Sequence, residues 1–133
     1  MRLRELSEPG RAERLLSEAW QRHQGTLIRG VSWDRQPLEE LLEIVRCVGG
    51  GLPSILGLLA EDHAGWMGGM PDLLLWNPGK GKARLSEVKG PRDRLSEQQR
   101  AWLLAMNAAG VDCELCRVLE ESTQHSSEYT PQK

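Results

Sequence analysis

The chain has 133 residues, of which 39% are hydrophobic and 27% charged, and a formal net charge of -2. That length fits one domain and that balance excludes global disorder. Apolar runs of only about four residues predict no membrane-spanning segment. The charged start, Met1 to Gly10, lacks the apolar stretch of a secretory signal. Three cysteines are too few for a disulfide scaffold, and their odd number fits a reducing compartment. The net charge conceals a gradient: residues 77–100 carry seven basic side chains against three acidic ones. A basic stretch interrupted by carboxylates suits either an anionic partner or a solvated face.

In chain order, residues 9–23 predict an amphipathic helix. Pro9 suits its first position, Ala12, Leu15, Leu16, Ala19, Trp20 and His23 recur at helical spacing, and Gly25 ends it. Residues 26–33, TLIRGVSW, read as a short strand or an irregular extended piece. Pro37 opens a second helix through Cys47, with Cys47 buried. Gly49-Gly50-Gly51 breaks it, and a third helix runs from Leu52 to His63. Gly65, Gly68 and Gly69 form a flexible approach to Pro71.

Asp72 to Trp76 reads as a buried strand, residues 77–82 (NPGKGK) as a turn, and Ala83 to Lys89 as a second strand. Ser96 starts a helix with Gln99 at capping-box spacing, Trp102, Leu103 and Met106 form its apolar side, and Gly110 closes it. Val111 to Leu119 alternates as a strand. The tail from Glu120 to Lys133 lacks periodicity and reads as disordered. The expected fold class is α/β, with a small mixed sheet in which the helical crossover lets strand 111–119 pair parallel to strand 83–89.

The hairpin carries the chemistry. If its residues pair so that their numbers sum to 159, Trp76 faces Ala83, Leu74 faces Leu85 and Asp72 faces Glu87. Opposed side chains in an antiparallel pair have Cβ atoms roughly 4.5–5.5 Å apart. Lys89, two residues beyond Glu87, projects from the same face. Like charges placed this way repel, and a hard divalent cation such as Mg²⁺ or Mn²⁺ would remove the penalty. Lys89 would then orient or help deprotonate an attacking water, or stabilise the phosphate transition state. The alternative is structural: Asp72 as a turn cap and Glu87–Lys89 as an exposed ion pair.

Gly69-Met70-Pro71-Asp72 followed by Glu87-Val88-Lys89 resembles the PD-(D/E)XK nuclease signature. The longer pattern GGMPDLLLWN…EVKGPRDRLSEQQRAWL…AGVDCELCRV is similar to the VRR-NUC branch of that superfamily. VSWDR at 31–35 and CVGGGLPSILGLLAEDH at 47–63 are similar to the Fanconi-associated nucleases within it. The resemblance covers roughly residues 10–119. It implies a restriction-endonuclease-like mixed sheet flanked by helices and Mg²⁺- or Mn²⁺-dependent, structure-selective cleavage of flap, branched or single-stranded DNA. A nuclear role in flap or interstrand-crosslink repair and DNA-repair proteins as partners are also implied; that no membrane is a partner is expected from the short apolar runs. By the same resemblance Asp72 and Glu87 bind metal through their carboxylates, Val88 through its carbonyl, and Lys89 is catalytic. The family has a further metal-binding Glu upstream of the matching region. Neither Glu13 nor Glu18 aligns with it, which reads as truncation relative to the family. A catalytically incomplete module that binds DNA or a protein is the second hypothesis.

Other residues have two readings each. Gln99 is either a site residue or the partner of Ser96 in a capping box. Arg92, Arg94, Arg100 and Lys82 either hold phosphates or are solvated. Strand alternation puts Cys113 and Cys116 on opposite faces, against a shared metal or disulfide, and His23, His63 and His125 lack ligand spacing. The five tryptophans suit core or interface positions.

Overall fold

Helical periodicity and glycine punctuation set the first half of the fold. The structure, a computed structural model, describes residues 3–120, so the expected disordered tail lies outside the described residues apart from Glu120. After a 3-10 turn at Leu3–Ser7, α1 (Arg11–His23) starts behind Gly10 (φ 71°) and buries Ala12 and Trp20. Ala19 and His23, expected on its apolar side, are exposed. Residues 26–33 form no strand. Gly25 (φ +81°) and Gly30 (φ +83°) turn the chain, and the Trp33 indole N–H donates to the Thr26 carbonyl at 2.8 Å. Trp33 also packs edge-on against Trp20 at 4.8 Å. The β-formers of this segment have no neighbouring strand to pair with, so the turns prevail.

α2 (Leu38–Val48) follows Pro37, buries Cys47 and stops at Gly49, whose φ of 53° no side-chain-bearing residue adopts comfortably. A 3-10 turn at Gly49–Gly51 leads into α3 (Leu52–Glu61), which puts Ile55 into the core. The whole stretch Leu38–Glu61 has 24 residues and a mean hydropathy of 1.5 over its best window, long and apolar enough by composition to cross a membrane. Run length alone missed this, because the charged residues are spaced along the helix faces. The break at Gly49 gives each half its own packing: α2 lies against α1 and the first two strands, and α3 against α4 and the Leu3–Ser7 turn. The glycine-rich approach is also more ordered than expected. It contains a short helix, α4 (His63–Met67), capped by the Asp62 carboxylate accepting from the Gly65 N–H at 3.0 Å.

The sheet has the order β1-β2-β3. β1 (Leu73–Asn77) pairs antiparallel with β2 (Lys82–Lys89), with Leu74 opposite Leu85 and Trp76 opposite Ala83, the register anticipated from the sequence. Between them Asn77 Oδ1 accepts from the Lys80 N–H and Gly81 (φ 59°) closes the turn. α5 (Glu97–Ala108) crosses over to β3 (Cys113–Arg117), which pairs parallel to β2, as expected from a helical connection. Ile55, Leu85, Trp102, Met106 and Cys113 form the core, with Trp66, Leu74 and Val111 packed against them. The fold is an α/β mixed sheet flanked by helices. One expectation needs correction: β1 is not buried on both faces. Leu73 and Leu75 are each 47% exposed, because β1 is an edge strand and the core forms on the face carrying Leu74 and Leu85.

The start of α5 is a full capping box. Ser96 Oγ accepts from the Gln99 N–H at 3.2 Å, and Gln99 Oε1 accepts from the Ser96 N–H at 2.9 Å. Ser96→Ala should lower stability by about 1 kcal/mol, read as a lower urea midpoint at unchanged slope.

Cys113 is buried and Cys116 exposed, on opposite faces of β3, and Cys47 is buried. All three are free thiols. Burial, reinforced by the charges of Asp112, Glu87 and Glu114, pushes the Cys113 thiol up. A raised pKa leaves less thiolate at pH 8, so iodoacetamide should modify Cys116 first. Cys113 and Cys47 should react only on unfolding, as peptide mass spectrometry would show. Early labelling of Cys113 would contradict its placement.

Candidate catalytic and metal site

The site forms where β1 begins and β2 ends. Continuing the hairpin register one step places Asp72 opposite Glu87. Asp72, however, precedes β1, and its Oδ2 accepts the backbone N–H of Val88 at 2.9 Å. Glu87 is 1% exposed. Its Oε1 accepts from Lys89 Nζ at 2.7 Å and from Gln99 Nε2 at 2.6 Å. Its Oε2 is buried with no hydrogen-bond partner among the described residues. A buried, unpartnered carboxylate oxygen is costly, so this atom marks a position where a cation or a donor belongs.

Lys89 is largely enclosed, its side chain 13% exposed. The hydrogen bond to Glu87 holds its ammonium above the usual lysine range. Burial works against this, and the charges of Glu87, Asp72 and Asp93 add to it. The repulsion expected between two opposed carboxylates is thus answered on one side by Lys89 and the Gln99 amide, leaving Oε2 as the buried oxygen without a partner among the described residues. The Glu87–Lys89 pair is also far less exposed than a surface ion pair, which was the structural alternative.

Gln99 fills both of its alternative readings with one amide. Its oxygen closes the capping box on Ser96 while its nitrogen reaches Glu87. Asp93, counted in the sequence only as a charge, proves to shape the following loop: its Oδ2 accepts from the Gly90 N–H at 2.9 Å. The spacing of a glycine and an aspartate three residues apart around Pro91 was the available signal.

Arg92 and Arg94 lie exposed between β2 and α5, and Arg100 is exposed on the first turns of α5. Among the described residues none of the three makes a salt bridge. Lys82 does not join them: it lies five residues before Glu87, about 17 Å along β2, and on the other face of the sheet. Asp72, Glu87, Val88, Lys89 and Gln99 are therefore brought together, and Lys82 is not. Among the described residues there is no cluster of three or more His, Cys, Asp or Glu suited to a metal. Glu13 faces Arg46 at 3.8 Å, and Glu18 is exposed on α1.

A mixed sheet ending in an aspartate, a buried glutamate and a lysine two residues later defines the class of fold, and comparison with known proteins places it. The VRR-NUC domain family matches residues 7–120. The chain belongs to that family. It is 53% identical over 116 residues to the Fanconi-associated nuclease 1 homolog of Oryza sativa subsp. japonica, covering 84% of this chain and 12% of that protein. It is 36% identical over 114 residues to Fanconi-associated nuclease 1 of Homo sapiens, covering 84% of this chain and 11% of that protein. Among solved structures, paFAN1 bound to 2-nucleotide 5′-flap DNA with a gap superimposes with a TM-score of 0.73 at 27% identity. That match covers 89% of this chain and 21% of that one. The chain thus spans about one eighth of the length of these curated relatives.

Proposed function

We propose that this chain is a metal-dependent nuclease domain that hydrolyses phosphodiester bonds in flap or otherwise branched DNA. The observation that carries the reading is the buried, unpartnered Oε2 of Glu87 beside a second carboxylate, Asp72. These oxygens fit a hard cation, Mg²⁺ or Mn²⁺, held by Asp72 and Glu87 with the Val88 carbonyl as a further ligand. Such an ion supplies Lewis acidity at a phosphate oxygen.

The remaining chemistry is assigned to side chains of this chain. Lys89, aimed by its bond to Glu87, presents its other N–H groups to the attacking water or to the phosphate oxygen on which charge grows. The new P–O bond forms to water oxygen, whose proton passes to solvent, as the leaving P–O bond breaks in line and the departing oxygen takes a proton from solvent. Gln99 keeps Glu87 from rotating toward solvent. Arg92, Arg94 and Arg100, exposed on the stretch that runs from the end of β2 into α5, would hold neighbouring phosphates through their planar forks. The relatives' names and the flap DNA in the superimposable structure support this substrate class. A nuclear role in DNA repair belongs to the same proposal.

A second reading has one observation in its favour. Only two carboxylates converge among the described residues, which suits a module that binds DNA without cutting it. Incubation with end-labelled 5′-flap DNA and Mn²⁺ separates the two. The nuclease reading expects products that disappear in Asp72→Ala; the binding reading expects a gel shift, no products and indifference to that substitution.

A further inference from the structure

Asp72 and Glu87 belong to different segments; the hairpin register and the Val88 N–H bond to Asp72 tie them on the strand side, and the link that leads to Asp72 has a second support. Asp72 ends the five-residue link from α4 to β1, and Glu87 sits within β2. Both segments meet the first turn of α5. Gln99 bonds Glu87, and its neighbour Gln98 faces the link. Gln98 Nε2 donates to the Gly65 carbonyl at 3.2 Å. Gly69 is buried against the Gln98 main chain. A Cβ there would lie 2.7 Å from the Gln98 carbonyl carbon and 2.8 Å from its oxygen. A Cβ on Gly68 would come 3.2 Å from Gln98 Oε1. One turn further along α5, the Trp102 indole N–H donates to the Trp66 carbonyl at 2.6 Å, and the two rings meet edge-to-face. Residues four apart on a helix share a face, so Gln98 and Trp102 form one continuous seam against α4 and the link.

We infer that the packing of Gly69 on Gln98, together with the Gln98 side-chain bond to Gly65, is a latch that acts with the hairpin register to set the spacing of the Asp72 and Glu87 carboxylates, with both residues acting as positioning residues for the cation. The inference rests on the metal-dependent reading above. Gly69 is required for space and not for an unusual backbone angle, since its φ is not in the left-handed region. Adding one methyl group pushes backbone against backbone, neither side can yield by rotating a side chain, and the link carrying Asp72 moves away from α5. Gln98 contributes a lateral bond to Gly65 in α4, which anchors the helix from which the link departs.

The test is Mn²⁺ binding by the full chain, read from the electron paramagnetic resonance signal of free Mn²⁺, alongside thermal unfolding. Gly69→Ala should raise the dissociation constant about tenfold or more and Gln98→Ala by about threefold, with a cooperative transition retained. Gly50→Ala, where nothing lies within 4 Å of the added carbon, should bind like the wild type. If Gly69→Ala does not fold, Gln98→Ala decides. Wild-type affinity in Gln98→Ala and in folded Gly69→Ala, with binding lost in Asp72→Ala, overturns the latch and leaves the nuclease reading standing. Absence of Mn²⁺ binding by the wild type overturns that reading, and the latch with it.

Discussion

Glu87→Gln should lower Mn²⁺-dependent cleavage of flap DNA by about 10²- to 10³-fold while the protein stays folded. The substitution keeps the shape of a side chain that is 1% exposed and removes its charge. An amide at this position has one oxygen. If that oxygen keeps Lys89, an N–H group faces the place where Oε2 now lies unpartnered, and a cation is repelled there. If the amide turns over, its nitrogen faces Lys89 and the Gln99 amide, and the positioning of both is lost. Either orientation removes something the site needs. Single-turnover cleavage measured over a range of Mn²⁺ concentrations should show both a higher metal requirement and a lower plateau. Glu43→Gln, on the exposed side of α2, is the matched control and should cut like the wild type. Comparable rates in the two variants would remove Glu87 from the chemistry.

The second large effect concerns stability. Trp102 is 0% exposed and joins Ile55, Leu85, Met106 and Cys113 in the core. Trp102→Ala should cost about 3–5 kcal/mol from lost burial and the cavity left behind. That is a large share of the roughly 5–15 kcal/mol that holds a domain of this size together, so the melting temperature should fall by about 10–20 °C. Trp102→Phe separates the components. It retains most of the apolar volume but removes the 2.6 Å donor of the Trp66 carbonyl, which keeps the Gly69 N–H at 3.2 Å, and should cost about 0.5–1.5 kcal/mol beyond the lost volume. Urea unfolding of both variants checks the order. A wild-type midpoint in Trp102→Ala would contradict the placement of the core.

Much of this arrangement is legible in the sequence where local rules act alone. The NPGKGK turn leaves one convenient hairpin register, and period-two alternation then fixes what faces what, including Lys89 on the face of Glu87. The helix between β2 and β3 dictates a parallel pair, and Ser96 with Gln99 dictates a cap. Legibility ends where a residue answers to distant partners. The apolar run Leu73 to Trp76 looks buried on both faces, yet burial depends on which layers the chain supplies, and Leu73 and Leu75 are half-exposed on the edge strand. The bend-and-turn path of residues 26–33 follows from Trp33 finding Trp20, which no local pattern announces.

At the site the sequence supplies the identities and the structure supplies the connections. The carboxylates and the lysine follow from spacing. The bond from Val88 N–H to Asp72 does not, because Asp72 lies ahead of the strand whose alternation would have placed it. Nor does the double duty of Gln99, since capping and site contact look like alternatives until one amide is seen using its oxygen for the first and its nitrogen for the second. The local +4 excess of residues 77–100 likewise resolves into unlike parts. Arg84 is committed to Asp112 and Glu114, each at 2.8 Å, Lys82 lies far along β2, and Arg92, Arg94 and Arg100 are exposed between the end of β2 and the first turns of α5, without salt bridges among the described residues.

The most direct measurement is an anomalous difference map from crystals grown with Mn²⁺. A peak in contact with one oxygen of Asp72 and with Oε2 of Glu87, at about 2.0–2.3 Å from each, is the expected result. Ordered Asp72 and Glu87 side chains with Mn²⁺ bound only elsewhere would contradict the shared cation and leave a module that binds DNA without cutting it.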